Sequence, residues 1–250
     1  MEEKKLSLYA TSLIALAIVL ASLILGNAYK YKFVSAETIS TTGLAEKEFT
    51  SDLVIWNASF SSLSMSRREA FDALRKDQVA IKNYLIQKGI KESEIVFSAI
   101  NVEEQTKTER KYNGNEGYSE VSTFDGYKLT QNFDIESKSI DIIEKTAREI
   151  TELLEQGINI SSNHPNYYYT KLEDLKLSLI SNATENATVR AKNIAEKGNS
   201  TLGSLKNATM GVFQITGKTS SEEYSWGGVY NTSDRNKKAS ITVKLEFAIK

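Results

Sequence analysis

The sequence predicts an α+β protein: a single domain of antiparallel or mixed sheet packed with helices, preceded by one N-terminal transmembrane helix. Three observations predict it. The run LSLYATSLIALAIVLASLIL, from Leu6 to Leu25, lies in a stretch with no charged residue between Lys5 and Lys30. Later segments alternate apolar and polar residues with the period of a half-buried strand, most clearly Tyr127, Leu129, Gln131, Phe133 and Ile135. Between such segments lie stretches with apolar residues at helical spacing, opened by capping signals and closed by glycines.

The first run matches the thickness of a bilayer. About 20 helical residues at ~1.5 Å each cross a hydrocarbon core of about 30 Å. Residues 1–28 are read as the anchor, 29–36 as a tether and 37–250 as the domain. The alternative is a secretory signal, cleaved at Gly26-Asn27-Ala28 or Val34-Ser35-Ala36, which would release the domain into the periplasm. An uncleaved anchor is preferred, because a signal core usually runs only ~7–15 residues. Lys4 and Lys5 before the run and Lys30 and Lys32 after it nearly balance. The free amino terminus tips the orientation toward a cytoplasmic N-terminus, which places the domain outside the cytoplasm, at the cell membrane facing the periplasm.

Asp52 to Ser62 is rich in strand formers, and its mixed apolar pattern suits a strand covered on both faces. A helix follows from the capping-box spacing of Ser66 and Glu69, with Phe71, Leu74, Ile81 and Leu85 on one face and Gly89 as its left-handed stop. Ile95 to Glu104 reads as a strand, and a polar turn around Asn113-Gly114-Asn115 leads to the alternating strand at Tyr127–Ile135. Ser139 to Gln156 reads as a helix that turns Ile140, Ile143, Ala147, Ile150 and Leu154 inward.

The second half repeats this grammar. Thr170 and Glu173 form another capping box before a long helix carrying Leu175, Leu179, Ala183, Ala187, Ala191 and Ile194 to a stop near Gly198. Small residues every four positions make a narrow stripe suited to close packing. Leu205 to Thr216 and Ala239 to Lys250 read as strands, the second burying Ile241, Val243, Leu245, Phe247 and Ile249. Between them, Gly217 to Lys238 is a long Ser-rich loop carrying Tyr224, Trp226 and Tyr230, possible ligand or partner contacts.

Several of these runs resemble one family. Gly126-Tyr127-Lys128-Leu129-Thr130-Gln131 is one. The pattern Ala183-Thr184, Ala187, Arg190-Ala191, Ile194-Ala195 and Gly198 is another, followed by Leu202-Gly203 and Met210-Gly211-Val212-Phe213-Gln214-Ile215-Thr216. Together they are similar to the bacterial SIMPL-domain proteins from about Thr38 to Ile249. Gly43 and Thr50-Ser51-Asp52 fall where that family has a glycine and a Pro-Asp turn, with Ser51 in place of the proline. The resemblance implies an α+β fold, an envelope location, homo-oligomeric rings and a connection to stress tolerance. It implies no catalytic residues.

The residues themselves point away from several chemistries. With no cysteine there is no disulfide framework, thiolate nucleophile, cysteine-bound zinc or thioether-linked lipid. His164 is the only histidine and sits in a turn, which excludes a multi-histidine metal site. No serine occupies a G-x-S-x-G elbow, and Gly227-Gly228 lacks the lysine of a phosphate loop. Glu103-Glu104 and Glu222-Glu223 read as exposed acids, and Tyr167-Tyr168-Tyr169 as a short strand burying alternate rings. A formal charge of −1 with scattered basic residues argues against nucleic acid as a partner. No cofactor, metal ligand or catalytic residue is assigned. The expected function is a membrane-anchored, non-enzymatic envelope oligomer, with an extracytoplasmic ligand- or glycan-binding module using the aromatic loop as the alternative.

Overall fold

The computed structural model describes residues 2–34, 37–112 and 118–249. In chain order the elements are α1 (Glu2–Val34), β1 (Thr38–Thr50), β2 (Leu53–Ser64), α2 (Arg67–Gln87), β3 (Ile95–Phe97), β4 (Asn101–Tyr112), β5 (Tyr118–Ser137), α3 (Ile140–Glu149), β6 (Asn159–Ser162), β7 (Asn166–Tyr168), α4 (Leu172–Lys197), β8 (Leu202–Met210), β9 (Gln214–Gly217), β10 (Val229–Tyr230) and β11 (Asn236–Ile249). This is the mixed α+β composition that the sequence predicts. The polar turn expected around Asn113-Gly114-Asn115 lies outside the described residues. The chain forms two compact units, one of Met1–Lys47, Asp174–Gln214 and Ser240–Lys250, the other of Glu48–Glu173 and Ile215–Ala239.

In the first unit, α1 contains both ends of the expected span, Leu6 and Leu25, and continues through Gly26 to Val34. Its segment Ser12–Lys30 is long and apolar enough to cross a membrane, and none of it is buried inside the protein. Leu13, Leu23, Ile24 and Leu25 are 63–70% exposed.

The core of this unit is sheet against helix. β11 lies between β1 and β8, running antiparallel to β8 from Val243↔Met210 to Ile249↔Leu202. Ile241, Val243, Leu245 and Phe247 are buried, as the alternation predicts. The alanine stripe of α4 meets β1 at backbone distance. Ala183, Ala187, Ala191 and Ala195 are all buried, Thr41 Oγ1 donates to Ala187 O at 2.9 Å, and a Cβ on Gly43 would lie 2.0 Å from Ala183 O. Glycine opposite alanine is what permits the approach. Ala195 takes the inward place expected of Ile194, which is 53% exposed. The helix closes on Asn199, whose φ of 56° supplies the left-handed residue expected near Gly198, and Ser200 N–H caps Ala195 O at 2.9 Å.

One expected strand divides in two. β8 stops at Met210 and β9 starts at Gln214, because Gly211 brings its backbone in to donate to Thr242 O at 2.9 Å. A Cβ there would stand 2.4 Å from Thr242 Oγ1.

In the second unit β5 is central. β2 pairs antiparallel with it from Val54↔Ser137 to Ser64↔Tyr127, while β3 and β4 follow one another along its other edge. The strand expected from Ile95 to Glu104 is therefore interrupted at Ser98, whose N–H donates to Asn132 O at 2.9 Å. β2 alternates buried Val54, Trp56, Ala58 and Phe60 with half-buried neighbours, so its two faces are covered unequally rather than alike. The buried face packs against Leu74, Ile81 and Leu85 of α2 and Ile143 and Ile150 beyond it. Phe71, expected inward, is 44% exposed, and Ala70 takes its place.

Helix ends also depart from the simple pattern. Ser66 is the N-cap of α2 but its side chain makes no capping bond. Glu69 instead accepts from Ser64 Oγ at 2.7 Å, and Ser64 Oγ accepts from Ser66 N–H at 3.2 Å. Gly89 closes the helix at φ +96° as expected. α3 changes to a 3-10 turn over Ile150–Gln156. Its three-residue period carries the inward face from Ile150 to Leu153, leaving Leu154 51% exposed.

Candidate functional site

The loop from Gly217 to Lys238 folds around one buried asparagine. Asn231 Nδ2 donates to Glu222 Oε1 at 2.7 Å and to Asp234 Oδ2 at 2.9 Å. Its Oδ1 accepts from Asp234 N–H at 2.9 Å, and its own N–H donates to Ile215 O at 2.9 Å. Glu222 also accepts from Gly217 N–H and Ser220 Oγ, each at 3.2 Å. Glu222 and Glu223 are exposed, as the sequence predicts, yet Glu222 is also tied into the loop, and the hydrogen bond from Asn231 lowers the pKa of its carboxyl. Gly217 is fixed by sterics, since a Cβ there would lie 2.1 Å from Asp234 Oδ2.

Lys237 closes this cluster. It is 1% exposed and its Nζ donates to Tyr167 O at 2.5 Å and Asn231 O at 2.6 Å. Burial pulls its pKa down to about 8 against the attraction of Asp234 and Glu222. An amine so lowered has the electronic character of a nucleophile or base, but this one is enclosed and spent on two carbonyls, so it acts as a strut. In sequence it sits at the end of the polar loop, beside Lys238. The missed signal is phase, because Lys237 has the parity of Ala239, Ile241, Val243 and Leu245 on the buried face of β11.

The three aromatic residues predicted on this loop differ in placement. Trp226 is 99% exposed, Tyr224 58% and Tyr230 47%. Tyr230 lies in β10, its ring 6.4 Å from Tyr168 and 5.6 Å from Lys237 Nζ. Trp226 stands free of that contact at the loop tip. Tyr167 is buried, as expected of alternate tyrosines, and burial together with a hydrogen bond to Glu144 pushes its phenol up to about 12. His164 is exposed outside any helix or strand, its Nδ1 2.8 Å from Pro165 O.

Beside this loop the second unit presents a shallow groove of about 590 Å³, lined by Ser51, Asp52, Lys138, Ser139, Asp141 and Arg235 among others. Asp52, Asp141 and Arg235 in it already have partners. Asp52 accepts from Thr170 N–H and Oγ1, both at 2.7 Å, bonds that hold its carboxyl low although burial works against them. Arg235 reaches Asp141 at 2.6 Å. Ser51 donates its N–H to Arg235 O at 2.9 Å, a bond that a proline at this position could not make. Among the described residues no group of three acidic or histidine side chains is placed to hold a metal.

β4 and β5 also present an exposed surface beyond the reach of β2. β2 reaches β5 only as far as Tyr127, whereas β4 stays paired out to Tyr112↔Tyr118. Residues 106–112 and 118–125 therefore project as a two-stranded ribbon. Tyr118 is 73% exposed, Val121 46% and Phe124 45%.

A family model described as SIMPL, protein of unknown function (DUF541), matches residues 39–247. No curated protein matches the chain.

Proposed function

The chain belongs to the SIMPL family, and from that premise we propose that it is a membrane-anchored, non-enzymatic envelope protein. In this reading α1 spans the membrane, the domain lies outside the cytoplasm, and copies assemble into a ring or scaffold that serves stress tolerance. The observation that carries the reading is the apolar segment Ser12–Lys30, none of which is buried by the rest of the chain. Apolar surface of that length left in water is costly, and a bilayer or other copies must cover it. Tethering several domains to one membrane raises their local concentration and favours assembly. Light scattering on detergent-solubilised full-length protein tests this. Masses of several subunits support the scaffold, and a monomer mass across a hundredfold dilution series overturns it.

A second reading rests on Trp226. An indole 99% exposed at the tip of a braced loop suits stacking on a sugar ring or a partner's apolar surface. Glycan and peptide binding, compared between the wild type and Trp226→Ala, tests it.

A further inference from the structure

Strand β4 has one sheet neighbour among the described residues, β5, along all 12 of its positions. Its outer row of backbone donors and acceptors faces solvent, and a ribbon of two strands is only marginally stable alone. The pleat of β4 is unbroken. Where its register to β5 shifts, between Gln105↔Gly126 and Thr106↔Phe124, the extra residue is Asp125 of β5. The edge is therefore regular enough to receive another strand.

Its charge pattern says which strand. β4 reads NVEEQTKTERKY, with Glu103, Glu104 and Glu109 against Lys107, Arg110 and Lys111, a net charge of zero. An edge protected against pairing carries charges that repel a copy. Here the charges are opposed about Lys107, acidic toward the body and basic toward the tip.

We propose that β4 pairs antiparallel with β4 of a second copy across a two-fold axis at Lys107. In that register Glu104 faces the second copy's Arg110, and Thr106 faces its Thr108. Each contact occurs twice by symmetry. Opposite charges and threonine pairs across strands are favourable. Glu104 and Arg110 have partners within the chain, Arg67 at 2.8 Å and Glu120 at 3.0 Å, yet both remain more than half exposed, at 59% and 75%. Lys107 meets its own copy already neutralised by Glu109 at 2.8 Å. The contact rests on the self-assembly reading and deepens it. Being two-fold, it joins two subunits, or two rings face to face, and does not itself close a ring.

The absence of native cysteine makes one introduced thiol a clean reporter. Directly opposed residues in an antiparallel pair have Cα atoms about 4.5–5.5 Å apart, within disulfide range. Full-length Lys107→Cys protein in detergent is expected to form a disulfide dimer under mild oxidation, while Lys192→Cys on α4 is not. Glu104→Arg or Arg110→Glu, each in the Lys107→Cys background, should slow cross-linking about tenfold by opposing like charges twice. The double exchange of the two residues should restore it. Absence of the Lys107→Cys cross-link, or failure of the double exchange to rescue, in protein whose scattering mass is still multimeric overturns the β4 contact and leaves self-assembly standing. A monomer mass at every concentration overturns both.

Discussion

At the residue scale, the groups most sensitive to change are those whose surroundings admit one side chain only. Phe133 is fully buried with its ring edge-on to Trp56 at 5.6 Å. Phe133→Ala should cost about 3–5 kcal/mol, a large part of the ~5–15 kcal/mol of a typical domain, read as a lowered urea midpoint. Lys237 and Tyr167 give stability a pH dependence of opposite sign. The Lys237 amine titrates near 8 when folded against the ordinary 10.5, so between those values the unfolded chain holds more protons and stability rises with pH. The Tyr167 phenol titrates near 12 when folded against the ordinary 10, so above 10 the unfolded chain loses its proton first and stability falls. Wild-type stability should therefore climb by about 1–3 kcal/mol from pH 8 toward pH 10, then turn down. Urea titrations of Lys237→Met at the same pH values should lack the climb.

At the element scale, periodicity located the helices and strands but not their irregularities. Phe133 and Ile135 fall inward on β5 as their alternation requires. Ser98 and Gly211 interrupt expected strands because each brings its backbone to a neighbouring strand, Asn132 O and Thr242 O, a pairing that no local pattern encodes. The 3-10 turn after α3 is the sharpest case. An α-helix would bury Leu154, whereas the tighter turn buries Leu153 to 1% exposure. Leu153→Ala should cost about 2–5 kcal/mol, and Leu154→Ala should stay within about 0.5 kcal/mol. Equal effects on the thermal midpoint would return the segment to a regular helix.

At the scale of the whole molecule, the decisive feature is α1, whose apolar segment Ser12–Lys30 no other part of the chain buries. Deleting residues 2–34 should move the protein from the membrane pellet to the supernatant on fractionation. Full-length protein recovered in the soluble cytoplasmic fraction would count against the anchor. In intact spheroplasts added protease should degrade the domain, and protection there would reverse the proposed orientation.

The sequence by itself determined the α+β class, the apolar span, the stripe of Ala183, Ala187 and Ala191, and the family, because each is written in local periodicity or in a run of neighbouring residues. It also marked Gly43, and the structure supplies the reason, a Cβ that would meet Ala183 O. The tertiary structure alone decided the bracing of the aromatic loop by Asn231, Glu222 and Asp234. It decided likewise which carbonyls Lys237 meets, Tyr167 O and Asn231 O, and the bond from Ser51 N–H to Arg235 O. These join residues far apart in the chain or carry no period of their own. Polar groups of that kind become fixed only when folding removes water and each must find the nearest remaining donor or acceptor.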